Sequence, residues 1–193
     1  EAINANGSVN VTISNGSKLT GGASERTAGN AVEYRGSGKL TVTASTLTGG
    51  SSTGGIGGSA LYEQSPTGNA VIEVADSTIT GGNGGASWDG SGISCNKNAT
   101  ITVRNSTVKS GNGEKATGNA AAITLPNYNN ANLTLEDTTL SGAGKNTVVK
   151  NGLYSDTTVN GTLTIAEGKL EKLAISAAGD DATIKVSKGA SVD

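Results

Sequence analysis

Site chemistry needs a nucleophile or base, a group that tunes it, and a surface that holds the substrate. This chain of 193 residues contains 1 Cys and no His. Cys95 therefore has no imidazole to activate it and no disulfide partner within the chain, and it reads as a small buried hydrophobe. Acid–base work falls to the carboxylates. Asp76, Asp137 and Glu167 each follow an alternating apolar stretch, but Ala44 and Asn105 hold the matching places elsewhere. Short Asx side chains there shape bends. Glu136 and Asp137 are neighbours, and neighbours on a strand face opposite ways. No acid and base pair of the glycosidase kind is set up, and no catalytic residue is assigned. Asp89 sits in Gly84-Gly85-Ala86-Ser87-Trp88-Asp89-Gly90, which has the make-up of a Gly/Asp calcium turn. Such calcium turns repeat as tandem nonapeptides, and this segment is not repeated in tandem, so no metal ligand and no cofactor is assigned. Asp180-Asp181 reads as a solvated turn.

Ligand binding without catalysis remains. The aromatic residues are 4 Tyr and 1 Trp. Tyr34, Tyr62 and Tyr154 follow the apolar step of a short strand, whereas Trp88 and Tyr128 lie in loops. Exposed rings beside acids and amides make sugar or protein contacts, and the plainer role for each ring is to cover one layer of a core. The candidate ligand-binding patch is Tyr62, Glu63, Trp88 and Asp89. A second candidate surface is a column of threonines, Thr12, Thr41, Thr102, Thr134 and Thr164, with Glu73 and Lys185 in the same column. Repeated outward Thr either supports neighbouring strands or, on a flat face, binds ice.

Such columns require elements that repeat in register. The apolar pairs are Val11/Ile13, Leu40/Val42, Ile72/Val74, Ile101/Val103, Leu133/Leu135, Leu163/Ile165 and Ile184/Val186. Their second members are spaced by 29, 32, 29, 32, 30 and 21 residues. A single apolar residue follows most pairs: Leu19, Leu47, Ile79, Val108, Leu140 and Leu170. Between pair and single residue stands a bend former, Asn15, Asp76, Asn105 or Asp137, of a type that tolerates left-handed φ. Gly21-Gly22, Gly49-Gly50 or Gly81-Gly82 then opens a loop. The loop closes on Gly29-Asn30-Ala31-Val32, Gly58-Ser59-Ala60-Leu61, Gly90-Ser91-Gly92-Ile93 or Gly118-Asn119-Ala120-Ala121, where a third strand begins.

A unit of three short strands cannot bury its apolar stripe alone, but stacked copies enclose a continuous interior. The expected fold is all-β. It is a right-handed single-stranded parallel β-helix of six to seven coils of about 30 residues, with three short strands per coil, the handedness being that of parallel crossovers. Residues 1–193 are expected to form one such domain, with a shorter coil near 166–193. The composition agrees. There are 30 Gly but no Phe and no Met, so a core must be built from Val, Ile, Leu and Ala. A net charge of −2 without Lys/Arg clusters offers no surface for nucleic acid. No long apolar run suggests a membrane span.

The Gly-(Asn/Ser)-Ala-apolar and apolar-x-apolar-x-(Asn/Asp)-(Ser/Thr) segments resemble repeats of the pectin-lyase-like right-handed β-helix superfamily. Gly57-Gly58-Ser59-Ala60-Leu61 is similar to the Gly-Gly-Ala-Ile repeats of bacterial surface adhesins and autotransporter passengers. The resemblance implies an exported, cell-surface or secreted segment of a larger protein. It implies a non-enzymatic structural or adhesive role, with loops that meet a host or cell-wall glycan, a protein receptor or another rod. The same superfamily contains polysaccharide lyases and hydrolases, so a carbohydrate-active module is the alternative, and an ice-binding threonine face is a more remote one.

Overall fold

In the computed structural model, residues 1–113, 120–125, 131–142, 147–150, 156–170, 175–177, 182–188 and 190–192 are described. They form an all-β parallel solenoid of about five turns with coils of about 29 residues and no helix. Three faces run along it. The first is built from Val11–Ile13, Lys39–Thr43, Ala70–Ala75 and Ala99–Arg104, paired in parallel register. The second is built from Lys18–Thr20, Thr46–Thr48, Thr78–Thr80 and Thr107–Lys109. The third holds Ile3–Gly7, Val32–Gly36, Leu61–Glu63, Ile93–Cys95 and Ala121–Thr124. Further along, the strands Ala131–Ser141 and Asp156–Leu170 run through the bend and serve both the first and second faces.

Alternation in each strand sends aliphatic side chains inward. Leu40, Ile72, Ile101 and Leu133 stack as one buried column, and Leu47, Ile79, Val108 and Leu140 as another. Val32, Leu61, Ile93 and Ile123 form the third. Like packs on like, so each rung covers the apolar stripe of the one before it.

The bend between the first two faces is the most regular feature. Asn15, Ala44, Asp76, Asn105 and Asp137 all take positive φ, between 44° and 60°. The residue after most of them turns a hydroxyl inward. Ser45, Ser77 and Ser106 donate to the carbonyls of Thr43, Ala75 and Arg104 at 2.6–2.8 Å. Ser77 Oγ also accepts the Ser45 amide, and Ser106 Oγ accepts the Ser77 amide, both at 3.1 Å. The buried corner is thereby bonded from coil to coil.

Glycine has a different task where each large loop leaves the body. The amides of Gly29, Gly50, Gly58, Gly82, Gly90 and Gly111 donate in turn to the carbonyls of Gly22, Gly29, Gly50, Gly58, Gly82 and Gly90 at 2.8–2.9 Å. The chain of bonds zigzags along the solenoid. It pinches the base of loops 22–29, 50–58 and 82–90. A Cβ on Gly58 would overlap the Gly29 carbonyl, and one on Gly82 the Gly50 carbonyl. These positions need glycine for close approach of backbones, not for positive φ.

The later coils depart from the expected register. Leu163 and Ile165 are not the partners of Leu133 and Leu135. Leu133 and Leu135 pair with Thr157 and Val159, while Ile165 pairs with Leu140. Gly161, at φ 61°, takes the place of the bend residue, and the Asp137 carboxylate accepts the Thr162 amide at 2.9 Å. The bend therefore precedes Leu163 and moves it to the second face. Thr164 leaves the Thr12–Thr41–Thr102–Thr134 column with it, and Thr158 stands there instead. Leu135 is followed by its partner Val159 after 24 residues and Val159 by Ala177 after 18, so these coils are shorter. The full-turn count is accordingly lower than the six to seven expected. On the third face Ile93 pairs with Ile123, two residues beyond Ala121.

Ala44 is the one bend residue of this group with neither a polar side chain nor glycine's freedom, and left-handed φ costs such a residue about 1–2 kcal/mol. Ala44→Asn is expected to raise unfolding free energy by about 1 kcal/mol. Chemical denaturation checks this, and an unchanged or lowered midpoint would contradict it.

Candidate binding groove

The loops and the third face together enclose a groove of about 550 Å³. Three columns build it, one residue per coil. The rim comes from the returning limbs of the loops, with Thr27, Ile56 and Trp88. Thr27 bridges Ile56 in parallel, and the Gly57 amide donates to the Trp88 carbonyl at 2.8 Å. The wall carries Asn30, Ser59 and Ser91. Asn30 Oδ1 accepts the Ser59 amide at 2.9 Å, and Ser91 Oγ lies 2.9 Å from Thr124 Oγ1. The floor is the outward column of the third face, Glu33, Tyr62, Ser94 and Thr124, in direct register. Parallel strands repeat at about 4.8 Å, so the groove offers a similar set of groups at that interval along the solenoid.

Trp88 is 55% exposed and Ile56 is 37% exposed, which leaves an apolar rim open to solvent. Tyr62 is half-buried on the floor, and its hydroxyl accepts a hydrogen bond from Asn96 Nδ2 at 2.6 Å. Burial, and then the Glu33 carboxylate, raise the Tyr62 pKa. Glu33 is itself held, with Arg35 Nε donating to Oε1 at 2.6 Å and Asn30 Nδ2 to Oε2 at 3.3 Å. Asp89 is buried at the groove wall. Its Oδ1 accepts the amides of Gly84 at 2.8 Å and Gly113 at 2.7 Å, which ties its own loop to the next coil.

The expected patch is thus partly assembled. Tyr62, Trp88 and Asp89 line one groove. Glu63 does not join them, because strand alternation turns it into the interior, where it is fully buried. Its carboxylate accepts the backbone amides of Ser65 at 2.7 Å, Lys97 at 3.0 Å and Asn96 at 3.3 Å, and the Cys95 thiol at 3.2 Å. Glu63 is a structural anchor for the turns after two neighbouring coils. Tyr34 occupies the same inward column one coil earlier and donates its hydroxyl to the Val9 carbonyl at 2.7 Å. Glu33 is a floor residue that the sequence did not single out, whereas the wall residues Asn30, Ser59 and Ser91 stand in the Gly-(Asn/Ser) segments that open the third strand. The signal for Glu33 is its place between the inward Val32 and Tyr34, legible only once that strand's register is known. Tyr128, Tyr154 and Asp180-Asp181 lie outside the described residues.

The threonines of the first face remain as an outward column of Thr12, Thr41, Thr102 and Thr134, with Glu73 among them. Lys39 pairs with Glu73 at 2.7 Å, so the column carries an ion pair in its middle.

The interior predicts a pH response. Burial raises the Cys95 thiol far above its ordinary 9.0, with the Glu63 carboxylate adding to the effect. Burial also raises Tyr34 above its ordinary 10.0. Above about pH 9 the unfolded chain holds fewer protons than the folded one, so this stability is complete below that pH and declines as pH rises. Urea unfolding between pH 7 and 10.5 is expected to show the decline. Cys95→Ala is expected to flatten its first part and leave the tyrosine part. An identical slope in the variant would contradict this account of the interior.

No protein-family model, no curated protein and no solved structure matches this chain.

Proposed function

We propose that the protein is a non-enzymatic, exported β-helix of the surface-adhesin kind, and that the groove beside its third face binds a linear glycan. The observation that carries this reading is Trp88, an exposed indole on the rim of a groove whose floor holds Tyr62. Aromatic faces flanked by hydroxyls and amides suit sugar rings, which present C–H groups to the π-system and hydroxyls to the polar wall. Ser59, Ser91, Ser94, Thr124 and Asn30 supply that wall and floor.

Charge narrows the ligand class. Among the described residues, the groove lining contains Glu1, Glu33 and Asp89 and neither Lys nor Arg. A polyuronate would meet like charge at Glu1 and Asp89, at a cost rather than a gain, while Glu33 is already paired with Arg35. A neutral or amine-bearing chain meets none. The same observation weighs against the polysaccharide-lyase alternative. A lyase needs a basic side chain to abstract the proton beside the carboxylate, and this lining supplies neither Lys nor Arg among the described residues. A hydrolase needs an uncommitted acid and base, whereas both oxygens of Glu33 and Oδ1 of Asp89 already accept hydrogen bonds. Two loop bridges, Ser24 to Ser52 and Thr27 to Ile56, support a groove formed before the ligand arrives, so little ordering cost falls on binding.

Calorimetry with hexasaccharides of glucose, N-acetylglucosamine and galacturonate tests the reading. Binding is expected for a neutral chain, and Trp88→Ala is expected to weaken it by about 2 kcal/mol, roughly 30-fold in Kd. Depolymerisation of the galacturonate chain, or neutral-chain binding that is unchanged in Trp88→Ala, would overturn it.

A further inference from the structure

The second face carries a pattern that the groove does not use. Its short strands read outward–inward–outward, so each coil presents two side chains to solvent. The register aligns them as two columns. The first runs Lys18, Thr46, Thr78, Thr107, Thr139, Thr164 and Lys185. The second runs Thr20, Thr48, Thr80, Lys109 and Ser141. Five threonines in succession fill the first column, and Thr48 and Thr80 stand beside two of them in the second, with Thr20 one coil earlier beside Lys18. Each is half-buried or exposed. Among the described residues, the side chains of Thr46, Thr48, Thr78, Thr80 and Thr107 make no hydrogen bond to protein.

Adjacent threonines in a column repeat at about 4.8 Å, and the columns stand about 6.6 Å apart, two residues along a strand. Three-residue strands in a stacked solenoid have little length over which to twist. The outcome is a near-rectangular, uncharged array of hydroxyls and methyls. Lys18 and Lys185 lie at the two ends of the first column, and Lys109 interrupts the second beyond Thr80. Hydroxyls without protein partners bond water at the array's own repeat, and the methyls between them confine that water sideways. The repeat along the columns is close to the oxygen spacing along one axis of ice, so the hydroxyls can order water in rows at that interval. Charged groups would pull water off such a lattice, and they are absent from the centre of the array. The first face fits less well, because the Lys39–Glu73 ion pair stands in its threonine column.

We propose that the second face is an ice-binding plane, centred on Thr46, Thr48, Thr78, Thr80 and Thr107, whose ligand is crystalline water. The face is separate from the glycan groove, so either reading can fail without the other.

Nanolitre osmometry and ice-recrystallisation assays on the whole chain test this. The protein is expected to facet ice crystals and to give a freezing gap that grows with concentration. Thr78→Tyr, at the centre of the array, is expected to reduce that gap at least tenfold. Thr102→Tyr on the first face and Trp88→Ala are expected to retain it, and circular dichroism checks that all three fold. Unfaceted crystals with no freezing gap from the wild-type chain would overturn the proposal. So would full activity in Thr78→Tyr. A dimer in sedimentation that Thr78→Tyr abolishes, without ice activity, would overturn it in favour of a second copy on the face.

Discussion

Backbone contact at the loop necks is the constraint on which the rest of this structure depends. Each large loop leaves and re-enters the solenoid through glycines whose amides and carbonyls bond directly, from Gly22 to Gly111. A side chain at most of these points would collide with backbone, which cannot move aside as a flexible side chain can. Because the necks close, the body behind them keeps a constant cross-section and its aliphatic columns stay in register. Because they close at the same place in successive coils, the returning limbs stack. Thr27, Ile56 and Trp88 then share one rim, and the third face beneath them becomes the floor of a groove.

The interior follows the same logic with different chemistry. The stacked columns inside the strands bury mainly Val, Ile, Leu and Ala, which need no partners. Where polar groups enter, they are bonded into the stack. The serines after the bend donate to carbonyls of their own rung, Ser77 and Ser106 also accept an amide of the preceding rung, and Glu63 gathers three amides and a thiol. Among the described residues Thr157 is the exception, a buried threonine in a column otherwise of Val, Leu and Ile, with no hydrogen-bond partner for its hydroxyl. A buried hydroxyl without a partner costs free energy. It stands in the coil where the repeat shortens.

Much of this was legible in the sequence because a solenoid repeats its local rules. The alternating apolar pairs gave the period, and Asn15, Asp76, Asn105 and Asp137 marked bends that do adopt positive φ. Three things were not legible. Leu163 and Ile165 alternate as well as Leu133 and Leu135, and only the turn at Gly161 reveals that they belong to the next face. Glu63 has the composition of a site residue, yet strand parity turns it inward, and parity of a three-residue strand is set by its neighbours. The groove and the second threonine column arise between coils, from residues about 30 positions apart, so no single stretch displays them.

The central claim is that close backbone contact at the necks, not glycine flexibility, holds the loops and hence the groove. The most direct test is the difference in unfolding free energy between Gly58→Ala and Gly22→Ala. Both residues lie in the same spine, but a Cβ on Gly58 meets backbone of the preceding coil, whereas one on Gly22 meets nothing within 4 Å. The expected result is a loss of about 3 kcal/mol for Gly58→Ala and a change within about 0.5 kcal/mol for Gly22→Ala. Equal effects of the two substitutions would contradict the account.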